Sequence, residues 1–585
     1  MTQGRHTAEP TSSSSRSHTV EIVIAALVAL LAVGLTAFRA RFGVDFTDEA
    51  FYVALPYRFA LGDVPFVDEL HIIQTSGILL RPLVEVFLRI NGGTEGIVLF
   101  MRLCHLVMVV GVGAAVFALL RKLIPTAHAL LAASVFVGFV PYSLPSPSYN
   151  TMTSAALVLG TVSLLWHFVV GGPRWVLALA GLFFGLAVVL YPPGMVLPAV
   201  AGLLVVLRHQ ESGPDRVRGA LWYAFGALVA AQILIVPAFN AGMDAVLRSL
   251  EYTGSVGSAA GGSLLARLAD GMRSARDLLL QAPLFLLIYA IMYRAYRMGS
   301  RWWSILLPAA VVVAVLEVGF AVRSASAFMG LVLGVLAPIV WAMLRSGDFA
   351  VPRRVFVIAF PVSFTGGLAF ALTSTNKAGS FGLGFWPMMI PVAVGLSALV
   401  ARTPNEMGGT RRGRFSLSSA GFVLGLALLV SAGVLFQYGS VYRDEPIVSL
   451  VRPVVSGPYA GLMTTAETAD LLVALERDIV DLAGENGRVL SFDRFPAGFL
   501  FTGGPPASST VWIGMVDRDV SHRQVKDYLN RTGALPDAVL VNHGIRNTLP
   551  ANGPSPGGPL LEFLEQEMAY SPALVRDSYF VYTRH

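Results

Sequence analysis

Residues 45–89 read DFTDEAFYVALPYRFALGDVPFVDELHIIQTSGILLRPLVEVFLR, and the rest of the chain is organised around them. Asp45, Asp48, Glu49, Asp63, Asp68 and Glu69 crowd into one connection between the first two long apolar segments, in a chain that is 55% hydrophobic and 13% charged. Carboxylates gathered beside a membrane suit acid–base work on a substrate presented from the bilayer. From Asp48 onward Phe51, Leu55 and Phe59 recur at four-residue spacing with Tyr52 and Ala60 beside them, which predicts a short amphipathic helix on the membrane surface. Thr47 or Asp48 would cap it. A second interfacial helix is expected from about Thr75 to Leu88, with Gly62, Pro65 and the Asp68–Glu69 pair in the connection. The alternative is that Asp48 and Glu49 only cap a helix and Asp68 only solvates a turn.

Working outward, a mean hydropathy of +0.66 over 585 residues leaves too few charges to cover a water-facing surface, so the membrane must be the main solvent. The apolar runs predict spans at 20–38, 94–118, 126–142, 151–170, 174–190, 194–208, 219–239, 278–296, 303–322, 328–344, 354–373, 382–401 and 417–437, about thirteen helices. Basic residues fall in alternate connections, among them Arg121, Lys122, Arg208, Arg294, Arg345 and Arg411, which places those connections in the cytoplasm. The net charge of +6 is therefore topological, with no basic stripe for nucleic acid. The single cysteine, Cys104, excludes an internal disulfide framework.

These signals divide the chain into a disordered cytoplasmic tail (1–19), a polytopic α-helical membrane domain (20–438, with an external catalytic loop at 39–93) and a small extracytoplasmic α/β domain (439–585). The last is expected from the amphipathic run TAETADLLVALERDIVDLAG and from β-like runs in GRVLSFD, DAVLVNHG and SYFVYTR. GPYAGL at 457–462 reads as a turn before a helix over 464–483. Asp493 and His543 sit at strand ends, where a lone polar residue is more often structural.

The acidic pair opening a surface helix after the first span (Asp48-Glu49-Ala50-Phe51-Tyr52), the Gly-x-x-Pro-aromatic-x-Asp segment at 62–68, and Arg102 entering the second span resemble the type-C (GT-C) membrane glycosyltransferases. The likeness is to relatives of the protein O-mannosyltransferases and of the lipid A aminoarabinose transferase, and it covers about the first 110 residues. It implies an inverting transferase on the outer face of a bacterial plasma membrane. The donor would be a polyprenyl-phosphate-linked sugar, and the acceptor a cell-envelope glycan, lipid or protein. Asp48 takes the place of the proposed general base, with Glu49 beside it. Asp45, Asp68, His71, Gln74, Arg58, Arg102 and Lys377 are the candidate substrate contacts, the cations for the departing phosphate. Each cation has a bland reading: Arg102 pairs with Glu95 or Glu85, and Arg58 and Lys377 snorkel. Two features depart from the family: residues 71–77 read HIIQTSG where a basic residue and two prolines are common, and Tyr191-Pro192-Pro193-Gly194 follow the fifth span in place of a lysine.

No cofactor is required and no metal-ligand spacing stands out, although a divalent cation (Mg or Mn) held by Asp45 and Asp48 suits carboxylates. Tyr149-Asn150 and Thr375-Asn376 are external polar points that suit either a sugar or a helix cap. Glu317 inside a span pairs naturally with Arg323, and His105 and His167 read as bonded core histidines. Two other classes compete: a transporter or flippase of lipid-linked sugars, disfavoured by the surface position of the acids and the lack of an internal repeat, and a non-catalytic membrane scaffold.

Overall fold

The computed structural model describes residues 13–71, 73–138, 140, 144–208, 213–259, a few positions within 266–277, and 349–374, 380–402, 441–492, 494–513, 518–545 and 559–584. The spans expected at 278–296, 303–322, 328–344 and 417–437 lie outside the described residues, as do Thr375, Asn376, Lys377, Glu317, Arg323 and Asp493. So does the boundary drawn at 438/439.

Among the described residues, ten helices precede residue 260: α1 (Ser13–Arg39), α2 (Asp48–Ala60), α3 (Gln74–Asn91), α4 (Ile97–Leu120), α5 (Thr126–Gly138), α6 (Tyr149–Phe168), α7 (Val176–Leu190), α8 (Val196–Arg208), α9 (Gly213–Ala241) and α10 (Met243–Ala259). A further long helix, Ala350–Thr373, follows, and then Phe381–Phe385 and Met389–Arg402, separated by a 3-10 turn at Trp386–Met388 that contains Pro387. Six of the described helical segments are long and apolar enough to cross a membrane: Thr19–Arg39, Ile97–Leu120, Tyr149–Phe168, Pro214–Ala241, Ala350–Thr373 and Phe381–Ala398. The chain is therefore read as an integral membrane protein. Thr126–Gly138, Val176–Leu190 and Pro192–Leu207 are apolar but shorter. α7 and α9 meet backbone to backbone: a Cβ on Gly181 would strike the Tyr223 carbonyl, and one on Gly226 would strike that of Ala178. Small residues permit this approach where lipid gives no hydrophobic drive to associate.

A second core lies beyond the spans, and it is shared. Val44, Phe46, Phe51 and Leu55 of the first connection pack in one cluster with Tyr459, Leu472, Phe499, Trp512 and Val581 from the C-terminal part. There a four-stranded sheet has the order β3-β4-β6-β5, with β3 (Val489–Phe492) parallel to β4 (Ala538–Asn542) and the remaining pairs antiparallel; β5 is Tyr570–Val575 and β6 Tyr579–Arg584. Helix Ala466–Ala483, capped by Thr465 on the Thr468 N–H, packs against it, as the amphipathic run predicts. A two-residue ladder, β1 (Arg452–Pro453) with β2 (Met463–Thr464), extends to Phe42, and Gly43 N–H donates to Met463 O at 2.9 Å. The first connection is thus bonded into the C-terminal part along its whole entry.

This shared core corrects the reading of α2. The expected amphipathic surface helix is buried on every side from Glu49 to Phe59. α3 lies so close that a Cβ on Gly77 would sit 3.1 Å from both Leu55 and Phe59, and the Pro496–Leu500 turn covers another face. The polar positions that suggested solvent meet protein partners instead: Tyr57 donates to Thr502 O at 2.7 Å, and Arg58 is wholly enclosed.

Candidate active site

The N-terminus of α2 carries the one opening. Between residues 43 and 59 every residue is buried except Asp48, whose side chain is 24% exposed. Its cap is not the expected one. Asp45 accepts from Thr47 N–H (3.0 Å), the Thr47 hydroxyl (2.7 Å) and Glu49 N–H (2.8 Å), so Asp45 closes the first turn and Thr47 makes no side-chain cap bond. Relieved of capping, Asp48 faces two residues that the sequence reading passed over. Tyr442 Oη donates to Asp48 Oδ2, and Arg443 Nη2 lies 2.9 Å from the same oxygen. Asp48 Oδ1 has no hydrogen-bond partner among the described residues.

Arg443 is held tightly for a residue 20% exposed. It donates to Thr47 Oγ1, stands 4.0 Å from Asp45 Oδ1, and lies 4.9 Å from the centre of the Tyr442 ring. Its backbone has φ +53°, an uncommon left-handed setting for a side-chain-bearing residue, and such settings collect at functional sites. Burial works against its charge, and the Asp48 and Asp45 carboxylates outweigh that and raise its pKa. Neighbouring Asp444 fixes the segment, accepting from Val44 N–H at 2.8 Å and from the Thr464 hydroxyl at 2.9 Å. Burial, with Asp48 close by, pushes Asp45 up to about 7 against the pull of Arg443 and of its own hydrogen bonds.

One helical turn beyond Asp48, Tyr52 begins an aromatic path. Its ring meets Tyr149 edge-on at 5.7 Å, Tyr149 stacks on Tyr191 at 5.8 Å, and Tyr191 stacks on Phe370 at 4.4 Å. The Tyr191 hydroxyl bonds that of Thr373. Beside it, the Pro192–Gly194 turn and the Ala350–Thr373 helix enclose an apolar cleft of about 360 Å³ with Arg267 in its wall. Ser148, not Tyr149 or Asn150, caps α6, in a capping box with Thr151.

Other nominated residues serve the scaffold. Arg102 donates to both oxygens of Glu49 (2.7 and 2.6 Å) and to the carbonyls of Ala40, Phe42 and Gly43, with 3% and 0% of the two side chains exposed. The structure therefore takes Glu49 and Arg102 away from the substrate and makes them a buried clamp, and Glu85 and Glu95 are not Arg102's partners. Arg58 is likewise removed from substrate binding: it pairs with Glu69 (2.7 Å) and Asp63 (2.8 Å) and donates to the carbonyls of Asp68 and Ser508. Gln74 is fully buried, accepting from Phe66 N–H at 2.7 Å and donating to Ser249 Oγ at 3.3 Å. His71 is 3% exposed, accepts Ile73 N–H on Nδ1 and is pushed down to about 4 by burial. Asp68 closes a turn by accepting from Val64 N–H at 2.8 Å. His167 bonds Gly172 O as expected of a core histidine, whereas neither ring nitrogen of the buried His105 has a partner among the described residues. His543 lies against Phe580, ring centres 5.2 Å apart and tilted by 38°.

Asp45 and Asp48 do not fit a shared divalent cation as they stand. Both oxygens of Asp45 and one of Asp48 already accept protein donors, and Arg443 lies between them.

No family model matches the chain, and no curated protein does. Solved structures similar to it include two. One is the oligosaccharyltransferase of Archaeoglobus fulgidus, crystallised with Zn and sulfate, at 13% identity over 89% of this chain and 68% of that one (TM-score 0.45). The other is ArnT from Cupriavidus metallidurans bound to undecaprenyl phosphate, at 13% identity over 96% of this chain and 97% of that one (TM-score 0.46). At such values the functional reading rests on the site itself.

Proposed function

We propose that the chain is an integral membrane glycosyltransferase that moves a sugar from a polyprenyl-phosphate donor to an extracytoplasmic glycan, lipid or protein acceptor, with Asp48 as general base. The observation that carries the proposal is the partly exposed Asp48 carboxylate on a helix buried from Glu49 to Phe59, with Oδ2 held by Tyr442 and Arg443 and Oδ1 open among the described residues. A carboxylate that merely caps a helix would spend its oxygens on backbone N–H groups, and Asp45 already does this.

In this reading the acceptor hydroxyl gives its proton to Asp48 Oδ1 as its oxygen bonds the anomeric carbon. The bond from that carbon to the phosphate oxygen breaks, polyprenyl phosphate departs, and Asp48 returns the proton to solvent. Arg443, 2.9 Å from Asp48 Oδ2, stabilises the departing phosphate, the part expected from the sequence of Arg102, Arg58 or Lys377. No step runs through a metal. The apolar cleft beside Tyr191 offers a surface for isoprenoid. About thirteen spans, a cytoplasmic N-terminus and an extracytoplasmic domain at 439–585 complete the proposed topology.

The test is sugar transfer from a panel of radiolabelled polyprenyl-phosphate sugars in membranes holding the protein. Transfer from one donor supports the enzyme and names its sugar. Labelled lipid that changes leaflet with no transfer from any donor means a flippase instead.

A further inference from the structure

The chain from Val441 to Met463 runs across the ends of two membrane spans. On one side Val44 N–H donates to Asp444 Oδ2 (2.8 Å), Met463 N–H to Arg41 O (2.7 Å) and Gly43 N–H to Met463 O (2.9 Å), which ties the segment to the end of α1. On the other, Gly96 N–H donates to Gly457 O (3.0 Å) and Val98 N–H to Pro458 O (3.1 Å), which ties it to the start of α4. Thr19–Arg39 and Ile97–Leu120 are both long and apolar enough to cross a membrane. Backbone bonded to residues 41–44 and 96–98 therefore lies at the level where the two spans leave the bilayer.

Within this strap the apolar side chains divide by direction. Ile447 and Leu450 turn inward with Val441 against Phe42, and Val454 joins the shared core. Val448, Val451 and Val455 turn outward, 85%, 72% and 72% exposed. Arg452 is the only charged residue between Pro446 and Val455. A single exposed valine needs no explanation, but a group of them at the rim of two spans forms an apolar face that something covers. The neighbouring surface says what. Phe42 lies 4.8 Å, ring to ring, from Phe38, which is exposed on α1 beyond Leu27, Leu30 and Leu31. At the α4 end, a Cβ on Gly461 would sit 2.9 Å from Leu99, and the exposed Leu103 and Val107 follow Leu99 down that helix. The valine face thus continues the apolar outer sides of both spans. Exposed valines elsewhere in the C-terminal part keep different company: Val473 and Val575 border Asp478 and its ion pairs with Arg477 and Arg576.

We propose that Val448, Val451 and Val455 insert into the lipid leaflet around α1 and α4, with Arg452 at the level of the lipid phosphates, so that the segment bearing Tyr442 and Arg443 is anchored in the bilayer. The anchoring does not rest on the glycosyl-transfer reading.

The test uses the full chain in nanodiscs of phosphatidylcholine and phosphatidylglycerol, with no sugar donor. Cys104, the single cysteine, is replaced as Cys104→Ser, and the fluorophore NBD is placed singly on Val448→Cys, Val451→Cys, Val455→Cys, Val473→Cys or Val575→Cys. All five positions are exposed, and each labelled protein is required to elute as the wild type does. Labels at 448, 451 and 455 should lose fluorescence to lipid spin-labelled near the top of its acyl chain and be shielded from aqueous iodide, whereas labels at 473 and 575 should do the reverse. Photocross-linking of the unsubstituted chain by a lipid carrying a diazirine on its acyl chain should likewise modify residues 448–455 and spare 473 and 575. Iodide quenching at the three valines equal to that at Val575 would overturn the proposal. So would shielding from both quenchers, which means a protein partner, or shielding from iodide that appears only after polyprenyl phosphate is added, which means the lipid substrate covers the face.

Discussion

Replacing Glu49 by Ala tests whether the second acid of the pair is structural. Its carboxylate lies beneath α2 at 0% exposure and takes two of the five hydrogen bonds that Arg102 donates, at 2.7 and 2.6 Å. The other three go to the carbonyls of Ala40, Phe42 and Gly43, which hold the strap from α1 into the first connection. Removing the acid leaves a guanidinium buried with its charge uncompensated, and breaking one side of such a pair costs about 3–5 kcal/mol. Replacing both residues, as Glu49→Ala/Arg102→Leu, with Arg102→Leu as the other single variant, removes the stranded charge along with the pair. The double variant should therefore be less destabilised than the sum of the single variants, with a coupling of about 1–3 kcal/mol. Unfolding of the detergent-solubilised protein, followed by tryptophan fluorescence, reads all four corners of the cycle. If Glu49→Ala unfolds with the wild-type midpoint but abolishes transfer, the clamp assignment is wrong and Glu49 belongs to the chemistry.

Further expectations come from other parts of the chain. Asp45 binds its proton more tightly in the folded state, about 7 against an ordinary 3.8, so its contribution to stability is complete below 3.8 and is lost as pH rises through about 7. Asp45→Asn should flatten that decline in an unfolding-midpoint series from acid to neutral pH, and an identical slope would contradict the assignment. Gly226→Leu should prevent α7 and α9 from meeting, because its first side-chain atom already strikes the Ala178 carbonyl. It should appear as loss of monodisperse protein on size exclusion, and wild-type behaviour would refute the close crossing.

Local signals were legible in the sequence and distant ones were not. The start of α2 was marked by its acids, helix Ala466–Ala483 by its amphipathic period, and β3, β4 and β6 by short apolar runs. β5 escaped because Pro572 interrupts its alternation at the sheet edge, where a bulge accommodates it. The enclosure of α2 could not be read from its own pattern, since its covering comes from residues such as Phe499 and Trp512, far along the chain. For the same reason the acids were noticed but their division of labour was not. Asp45 caps, Glu49 clamps and Asp48 stays open only because Tyr442, Arg443 and Asp444 return to meet them. A cue was present in the Tyr-Arg-Asp-Glu run at 442–445, charged residues gathered just beyond the last predicted span.

The most direct test of the account is the rate of sugar transfer by Asp48→Asn in membranes holding equal amounts of variant and wild type. The substitution keeps the shape and the contact with Tyr442 while removing the base, and loss of general-base catalysis should slow transfer by roughly 10²–10⁴-fold. Transfer by the variant at the wild-type rate would contradict the central claim that Asp48 is the base.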